Sequence, residues 1–306
     1  MERYTDEELD RMYQEETDKN RRSFLLILGA VAICGCGQFV TFMVYVLSQN
    51  VIAKAVFFAI TMAITLLYCV KSFGSSGNNM FRHTDILHRL LIPYCVQDMF
   101  GEDAVYSKKE GLPLMLIKDS HLVGEGWTDY YGSALVKGSY QGISFMQSDV
   151  CLIRHIESED SKGNTNSYDT TVFKGIWAVL DFPKSFSTNL VVREREGRRS
   201  EKWEKNKSVV QMENIAFNEK FTVIAEDAHN AFYLLTPQMM EHIIETEKRF
   251  SGRIYFCFMD GKLHIAIDNG KTGFGDIAMI NGAANERKRI CQRLSLVPEL
   301  MKQMKL

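Results

Sequence analysis

The chain has 306 residues, 46% of them hydrophobic, and a formal net charge of -2. This near-neutral charge argues against an extended nucleic-acid interface, so no nucleic-acid partner is expected. The chain has 7 cysteines and no CxxC pair, unlike the even, regularly spaced set of a disulfide-rich secreted protein. They therefore predict reduced thiols and a cytosolic domain.

Two long apolar runs dominate the N-terminal part of the sequence. They are Phe24–Leu47 and Val51–Val70, and a short polar turn separates them. About 20 apolar residues are enough for a helix to cross the ~30 Å hydrocarbon core of a bilayer. A cleaved signal peptide fits less well, because the preceding residues are rich in acids and no A-x-A site follows the first run. We predict a cytosolic N-terminal segment over residues 1–22 and a two-helix transmembrane hairpin over residues 23–72.

Basic residues flank the predicted hairpin on both sides. Lys19 and Arg22 precede the first helix, and Lys71 and Arg82 follow the second. Positively charged flanks favour the cytoplasmic side of a membrane. This pattern predicts a two-pass protein with both termini in the cytoplasm and the lipid bilayer as its first partner.

Small residues recur along one face of each predicted transmembrane helix. Such faces let two helices approach closely in lipid. They indicate packing inside the hairpin, or contact with another protein or a second copy of the chain in a homo-oligomer. The residues are Gly29, Ala32 and Cys36 on the first helix and Ala55, Ala59 and Ala63 on the second.

Residues 73–119 are predicted to form a linker and a juxtamembrane helical region. Gly74–Asn79 is rich in glycine, serine and asparagine, which is typical of a flexible linker. The helical spacing of apolar residues then predicts a helix from about Met80 to Phe100, with a break near Pro93.

Alternating and β-branched residues next predict a series of strands. Ser133–Tyr140 and Gly142–Ile156 predict a hairpin that turns at Gln141-Gly142. Thr171–Asp181 is apolar enough for a buried strand, and Asn189–Arg195 predicts another.

The following segment mixes strand and helix signals. Phe221–Ala225 and Ala231–Leu235 predict two strands on either side of a polar turn. Thr236 and Pro237 then predict a helix start, since threonine is a good N-cap and proline suits the first helical position. That helix is expected to end at about Phe250.

The C-terminal part contains the clearest hairpin signal of the chain. Arg253–Met259 and Lys262–Ile267 are two strand-like runs joined by Asp260-Gly261. Residues 283–306 predict an amphipathic C-terminal helix, which would either dock on its own domain or contact lipid or a partner. Hairpins mixed with a few helices make residues 120–282 a mainly antiparallel α+β cytosolic domain.

Catalytic signatures are weak. The sequence contains no G-x-S-x-G nucleophile elbow and no H-E-x-x-H zinc helix. His229, Glu241 and His264 are the candidate catalytic residues, because histidine and glutamate can act as general bases if the fold brings them together. No cofactor and no metal site is expected. Trp127 is expected either to line a binding surface or to pack under a loop.

Several short motifs occur in order between residues 173 and 267. They are Phe173–Phe186, Phe217, Phe221–Val223, Ala231–Pro237 with Glu241, Ile254–Phe258 and Gly261–Ile267. In these motifs, and over about residues 120–275, the chain resembles a bacterial two-pass membrane family described only as a domain of unknown function (number 3137). The resemblance implies a bacterial inner-membrane protein and assigns no catalytic residues.

These observations favour a non-enzymatic function. The expected protein is a membrane-anchored cytosolic binding or scaffold module of the bacterial inner membrane, with an unknown specific role. The alternative is a membrane-associated hydrolase or transferase with an unrecognised site, which would need a cleft that gathers the candidate catalytic residues.

Overall fold

The structure is a computed structural model, and the chain divides into two compact units. The first is Met1–Leu91 with Ala278–Glu286, and the second is Ile92–Ile277 with Arg287–Leu306. The residues that the structure describes are 4–47, 62–63, 87–124, 126–159, 165–183, 189–195, 208–274 and 282–305.

The predicted transmembrane hairpin is wrong. The first apolar run lies in helix α1, Asp6–Leu47. This helix begins within residues 1–22, which were predicted to form a cytosolic segment separate from the first transmembrane helix. Most of the second run lies outside the described residues. A spanning helix must be apolar over about 20 residues. Within the described ranges, no helix combines the length and the apolarity needed to cross a membrane. The predicted transmembrane part of the fold and the predicted two-pass inner-membrane localisation are therefore wrong.

Side-chain caps fix two helix starts in the first unit. At the start of α1, the Thr5 backbone N–H donates to the Glu8 carboxylate over 2.8 Å, and the Glu8 N–H donates to the Thr5 hydroxyl over 3.2 Å. This reciprocal pair is a capping box. The second start is that of the helix Ala283–Leu294. There, Asp10 Oδ1 accepts a hydrogen bond of 2.7 Å from the Ala283 backbone N–H. A short π-helix, Leu87–Leu91, also belongs to this unit.

The second unit is built on one large antiparallel sheet. In the described part of the chain the sheet has 9 strands in the order β1-β2-β3-β4-β9-β8-β5-β7-β6. All neighbouring strands pair antiparallel, which confirms the predicted α+β class. The strands are β1 Val105–Ser107, β2 Asp129–Tyr140, β3 Ile143–Glu159, β4 Thr165–Asp181, β5 Leu190–Glu194, β6 Val209–Val210, β7 Phe221–Ala225, β8 Arg253–Met259 and β9 Lys262–Asp268.

Helices connect and cover these strands. The predicted helix start at Thr236 is confirmed, because its hydroxyl accepts a hydrogen bond from the Met239 N–H over 3.3 Å. The predicted single C-terminal helix is two helices that meet at Ser295. The helices after α1 are α2 Ile92–Phe100, α3 Leu114–Asp119, α4 Ile215–Lys220, α5 Ala228–Leu234, α6 Pro237–Arg249, α7 Ala283–Leu294 and α8 Leu296–Met304.

Both predicted hairpin turns are confirmed. Gln141 and Gly142 have φ values of 51° and 83°, and Asp260 and Gly261 have φ values of 51° and 69°. Two successive residues with positive φ are typical of the type I′ turn, whose twist matches that of the paired strands. Aspartate and glycine tolerate this left-handed region better than most residues do.

The predicted strand Ala231–Leu235 is wrong. These residues fall mostly in helix α5, Ala228–Leu234. The Asp227 carboxylate caps this helix by accepting a hydrogen bond of 2.9 Å from the His229 N–H. The run Ala-Phe-Tyr-Leu-Leu suits a strand by composition, but the aspartate cap ahead of it favours a helix.

The central strands are buried on both faces. Residues that lie directly opposite each other on paired strands share a face, so Val179, His264 and Cys257 lie in one row. Trp177 lies on the same face, two residues before Val179. We call this the Trp177 face. Leu112, Ile117 and Leu122, from the segment before β2, belong to the same buried cluster as Trp177 and Cys257. That segment carries the candidate site.

Candidate functional site

A cavity of about 440 Å³ lies between α3, the loop before β2, and β3. Small-molecule sites in proteins usually occupy about 300–1,000 Å³ and are mostly apolar, with a few polar groups. This cavity has the same character. Its lining residues are Leu114, Ile117, Lys118, His121, Val123, Gly126, Trp127, Thr128 and Leu152.

The floor of the cavity is part of the hydrophobic core. Ile117 and Leu152 are 3% and 0% exposed, and both belong to the cluster on the Trp177 face. Val123 and Trp127 are partly buried and pack against this cluster. The indole of Trp127 therefore has a fixed inner edge and contributes an apolar wall.

Hydrogen bonds to β3 hold the loop on both sides of Trp127. The Thr128 N–H donates to the Ile153 carbonyl over 2.7 Å. On the other side, Arg154 Nε donates to the Gly126 carbonyl over 2.7 Å. Gly126 has a φ of +92°, and a β-carbon there would lie 3.4 Å from Arg154 Nε. The loop therefore needs glycine at this position for its backbone conformation.

The end of α3 places a lysine and a histidine side chain among the residues that line the cavity. The Ser120 hydroxyl donates to the Ile117 carbonyl over 2.7 Å. His121 has a φ of 48°, and its N–H donates to the Lys118 carbonyl over 3.3 Å. Lys118 and His121 are both exposed. The Leu122 carbonyl accepts a hydrogen bond of 2.7 Å from Arg193 Nε, which fixes the end of this turn to β5.

Tyr130 fastens the segment ahead of α3 to the sheet. Its hydroxyl donates to the Leu112 carbonyl over 2.6 Å. A β-carbon on Gly132 would overlap the Tyr130 hydroxyl, and one on Gly111 would lie 2.6 Å from it. The two glycines therefore make room for the ring. Burial raises the pKa of Tyr130 to about 12, so the phenol keeps its proton and donates at neutral pH.

The variant Tyr130→Phe should lower the free energy of unfolding by about 1 kcal/mol. The change removes a partly buried hydrogen bond but keeps the ring, and such bonds contribute roughly 0.5–1.5 kcal/mol. Urea unfolding at pH 7 measures the difference. Tyr131→Phe is the matched control, because Tyr131 is 60% exposed on the same strand. Equal stability of both variants would show that the hydroxyl does not fasten the segment.

A histidine and carboxylate pair lies beside this loop, on the outer part of the sheet. His155 Nδ1 is 2.7 Å from Asp169 Oδ1, and His155 Nε2 is 3.6 Å from Glu157 Oε1. The hydrogen bond to Asp169 is the main cause that raises the pKa of His155 above its usual value. The backbone N–H of His155 also donates to the Thr128 hydroxyl over 3.1 Å.

The variant Asp169→Asn should lower the pKa of His155. A neutral amide no longer favours the imidazolium, whereas the carboxylate does. Any stability from this pair is present below the pKa of unfolded histidine and is lost as the pH rises through the raised pKa in the folded chain. An NMR titration of the His155 ring protons measures the change.

Glu157→Gln serves as the control for that titration. Glu157 is the more distant carboxylate, so its removal should lower the pKa of His155 by less than the removal of Asp169 does. An unchanged midpoint in Asp169→Asn would show that the pair does not form in solution.

The structure does not bring the three predicted catalytic residues together. His229 and Glu241 are exposed on α5 and α6, whereas His264 is 0% exposed on the Trp177 face. Both ring nitrogens of His264 lack a hydrogen-bond partner in the described residues, so it bonds to neither of the other two. Their catalytic role stays a prediction.

The predicted helix-packing residues are only partly described. Gly29 and Ala32 lie on α1 and are exposed, as is Ala63. The side chain of Cys36, and Ala55 and Ala59 entirely, lie outside the described residues. Packing between the two small-residue faces stays a prediction.

Sequence reasoning found one residue of the cavity. Trp127 was expected either to line a binding surface or to pack under a loop; it lines the cavity and packs against the core cluster, and a role in binding stays a prediction. Lys118, His121 and Leu152 gave no signal, because α3 is only six residues long and Leu152 lies far away in the sequence. Among the described side chains, no group of three or more His, Cys, Asp or Glu residues could hold a metal ion.

Comparisons with known proteins give a partial family match. Residues 171–306 match the profile of a family described as "Protein of unknown function (DUF3137)". This range begins and ends later than the resemblance over about residues 120–275 suggested, and the cavity precedes it. No curated protein matches the chain.

One solved structure is similar to part of the chain. It is the crystal structure of the mycobacterial trehalose monomycolate transport factor A, TtfA, at 8% sequence identity and a TM-score of 0.34. The similarity covers 70% of this chain and 94% of that chain. A TM-score this low does not establish a common fold. Residues 171–306 are thus similar to a family that is described only as of unknown function.

Proposed function

We propose that this protein is a binding module that takes a small, largely apolar molecule into the cavity beside Trp127. The observation that carries the proposal is the cavity itself, about 440 Å³ in volume, with an indole wall and a floor of buried aliphatic side chains. Apolar surface removed from water contributes about 25 cal/mol per Å², so a ligand that fills this space gains affinity without specific chemistry.

The polar groups of the cavity support binding without turnover. Thr128 carries the one hydroxyl among the described lining residues, and its hydrogen bonds are already made. Its oxygen lies 2.8 Å from Asp129 Oδ2 and 3.2 Å from the Ile153 carbonyl, and it accepts from the His155 N–H. A nucleophilic hydroxyl needs a free path to the substrate besides a base, and the contacts of the Thr128 hydroxyl with Ile153 and His155 hold it against β3. Thr128 is instead a structural residue that holds the loop.

A neutral solvatochromic naphthalene ketone is a suitable probe for this proposal. Its fluorescence should rise and shift to the blue on titration with the full chain, with saturation at one site per chain. The variant Val123→Phe should weaken this binding at least tenfold, because the added ring occupies the cavity. Ile215→Phe is the control, since Ile215 is 75% exposed and belongs to α4.

Two outcomes would contradict the proposal. One is a probe that shows no saturable binding to the wild-type chain. The other is a Val123→Phe variant that binds the probe like the wild type while it keeps the wild-type circular dichroism spectrum and thermal midpoint. Either result would mean that the cavity does not accept an apolar molecule.

A further inference from the structure

We infer that the ligand of this cavity is an amphipathic anion, with an aliphatic or aromatic body against Trp127 and a negatively charged head group beside Lys118 and His121. This inference rests on the proposed binding function and names the class of ligand. It follows from the separation of apolar and cationic groups across the cavity.

Aliphatic side chains form the inner part of the cavity among the described lining residues. Leu152 and Ile117 form its floor and are buried. The backbone beside Trp127 is already paired, since the Thr128 N–H bonds to Ile153 and the Gly126 carbonyl accepts from Arg154. A polar ligand group placed against the side chains of Ile117 and Leu152 would lose its bonds to water and gain none from them, which disfavours it. The inner part therefore selects an apolar body.

Lys118 gives the outer part of the cavity a positive charge. Lys118 is the cationic residue in the last turn of α3, and the left-handed turn at His121 brings the imidazole to the same side. The guanidinium of Arg154 lies close to Gly126, because a β-carbon there would be 3.4 Å from both Arg154 Nε and Arg154 Nη2. None of the described lining residues is acidic. A negatively charged head group is therefore matched by charge at this rim.

The exposure of these side chains also limits how strongly the cavity prefers an anionic head group. Lys118 and His121 are exposed, so water and salt screen the charge of Lys118. The apolar body should provide most of the affinity, and the head group should provide selectivity. Each ligand methylene group that is buried against apolar side chains should raise the affinity about fourfold, which corresponds to about 0.8 kcal/mol.

Displacement of the neutral naphthalene probe by C8 compounds with different head groups tests this inference. Octanoate and octyl sulfate should displace the probe at about fivefold to tenfold lower concentration than octanol, and octyltrimethylammonium should be the weakest. Hexanoate and decanoate give the dependence on chain length. A preference for octyl sulfate over octanoate would identify the sulfate or phosphate class within the anions, and the reverse would identify carboxylates.

Variants distinguish the contribution of the head group to the affinity from that of the apolar body. Lys118→Gln should weaken octanoate about threefold and leave octanol unchanged, and Lys118→Gln with His121→Asn should remove the preference for the anion. Asparagine suits the second position because it tolerates positive φ. Lys137→Gln is the control, since Lys137 is exposed on β2 and does not line the cavity. Circular dichroism confirms that each variant is folded.

The result that would overturn the inference differs from the one that would overturn the proposed function. If the probe binds and Val123→Phe abolishes its binding, but octanol and octyltrimethylammonium compete as well as octanoate, the cavity is a binding site without preference for anions. If octanoate binds equally well to the double variant, the side chains of Lys118 and His121 do not contact the head group. Absence of probe binding contradicts the proposed function itself.

Discussion

Replacing His264 by leucine should make the protein more stable at pH 7 and remove much of its sensitivity to acid. His264 is 0% exposed, and neither ring nitrogen has a hydrogen-bond partner among the described residues. Each unpaired buried polar group costs roughly 1–3 kcal/mol. Leucine has a similar size and no polar atom, so the gain at pH 7 should be about 1–2 kcal/mol.

The effect of acid follows from the pKa of His264. Burial is the main cause that lowers this pKa to about 4, and the charge of Lys262 lowers it further. In the unfolded chain the pKa of histidine is about 6.5. As the pH falls from about 6.5 to 4, the unfolded chain binds a proton at this position and the folded chain does not. Folding is therefore disfavoured progressively across this window, by about 3 kcal/mol at its lower end.

Urea unfolding of the full chain at pH 7, 5.5 and 4 measures both effects. The free energy of unfolding of His264→Leu minus that of the wild type should grow by about 3 kcal/mol between pH 7 and 4. His264→Gln separates the two causes, because glutamine is polar but does not titrate. It should lose the acid sensitivity without the gain at pH 7. A wild type and a leucine variant with parallel pH profiles would show that water reaches the imidazole in the folded state.

Hairpins were the part of the fold that the sequence predicted best. The turns at Gln141-Gly142 and Asp260-Gly261 need positive φ, and their residue types reveal that need locally. The strands beside them alternate or are continuously apolar, so their positions follow from the turns. Long apolar strands such as β4 are also visible, although β4 begins at Thr165, six residues before the predicted start.

Other elements depend on information that a short apolar run does not contain. Ala231–Leu235 fits a strand and a buried helix equally well over five residues, and the Asp227 cap decides between them. The run Phe24–Leu47 is helical within α1, but its predicted role as one arm of a transmembrane hairpin is wrong. Apolar composition alone predicted the span.

The candidate site could not be predicted as a whole, because its parts are distant in sequence. Lys118 and His121 come from the turn after α3, whereas Leu152 comes from β3, and only the pairing of β2 with β3 brings them to one cavity. Trp127 was recognisable as a large aromatic residue beside a glycine. Its partners depend on strand register, which is fixed by tertiary packing.

Changing Gly175 to alanine should destabilise the protein by about 3 kcal/mol or more. Gly175 lies on β4 opposite Asp268, the last residue of β9. A β-carbon at this position would overlap the carbonyl oxygen of Ile267 and lie 3.2 Å from Asp268 Cα. Both obstacles are backbone atoms, so no rotation of a side chain relieves the clash, and the two strands must separate. Overpacking at a rigid site costs about 1–3 kcal/mol and occasionally more, and loss of strand pairing adds to this cost.

Gly138→Ala on β2 is the matched control for Gly175→Ala. Both variants lose the same flexibility in the unfolded chain, which by itself favours alanine by about 0.4–1 kcal/mol. The atom nearest to a β-carbon on Gly138 is Ala104 Cβ, at 3.1 Å, so a shift of a few tenths of an ångström relieves the contact. Gly138→Ala should therefore change the free energy of unfolding by less than about 1 kcal/mol. Equal stability of the two variants would mean that β4 and β9 are not held at this close distance.

Hydrogen exchange gives a second test of the Gly175→Ala variant. Because β9 lies between β4 and β8, separation of β4 from β9 should also expose amide hydrogens on β4 and β8 to exchange. Gly138→Ala should leave these amide hydrogens protected.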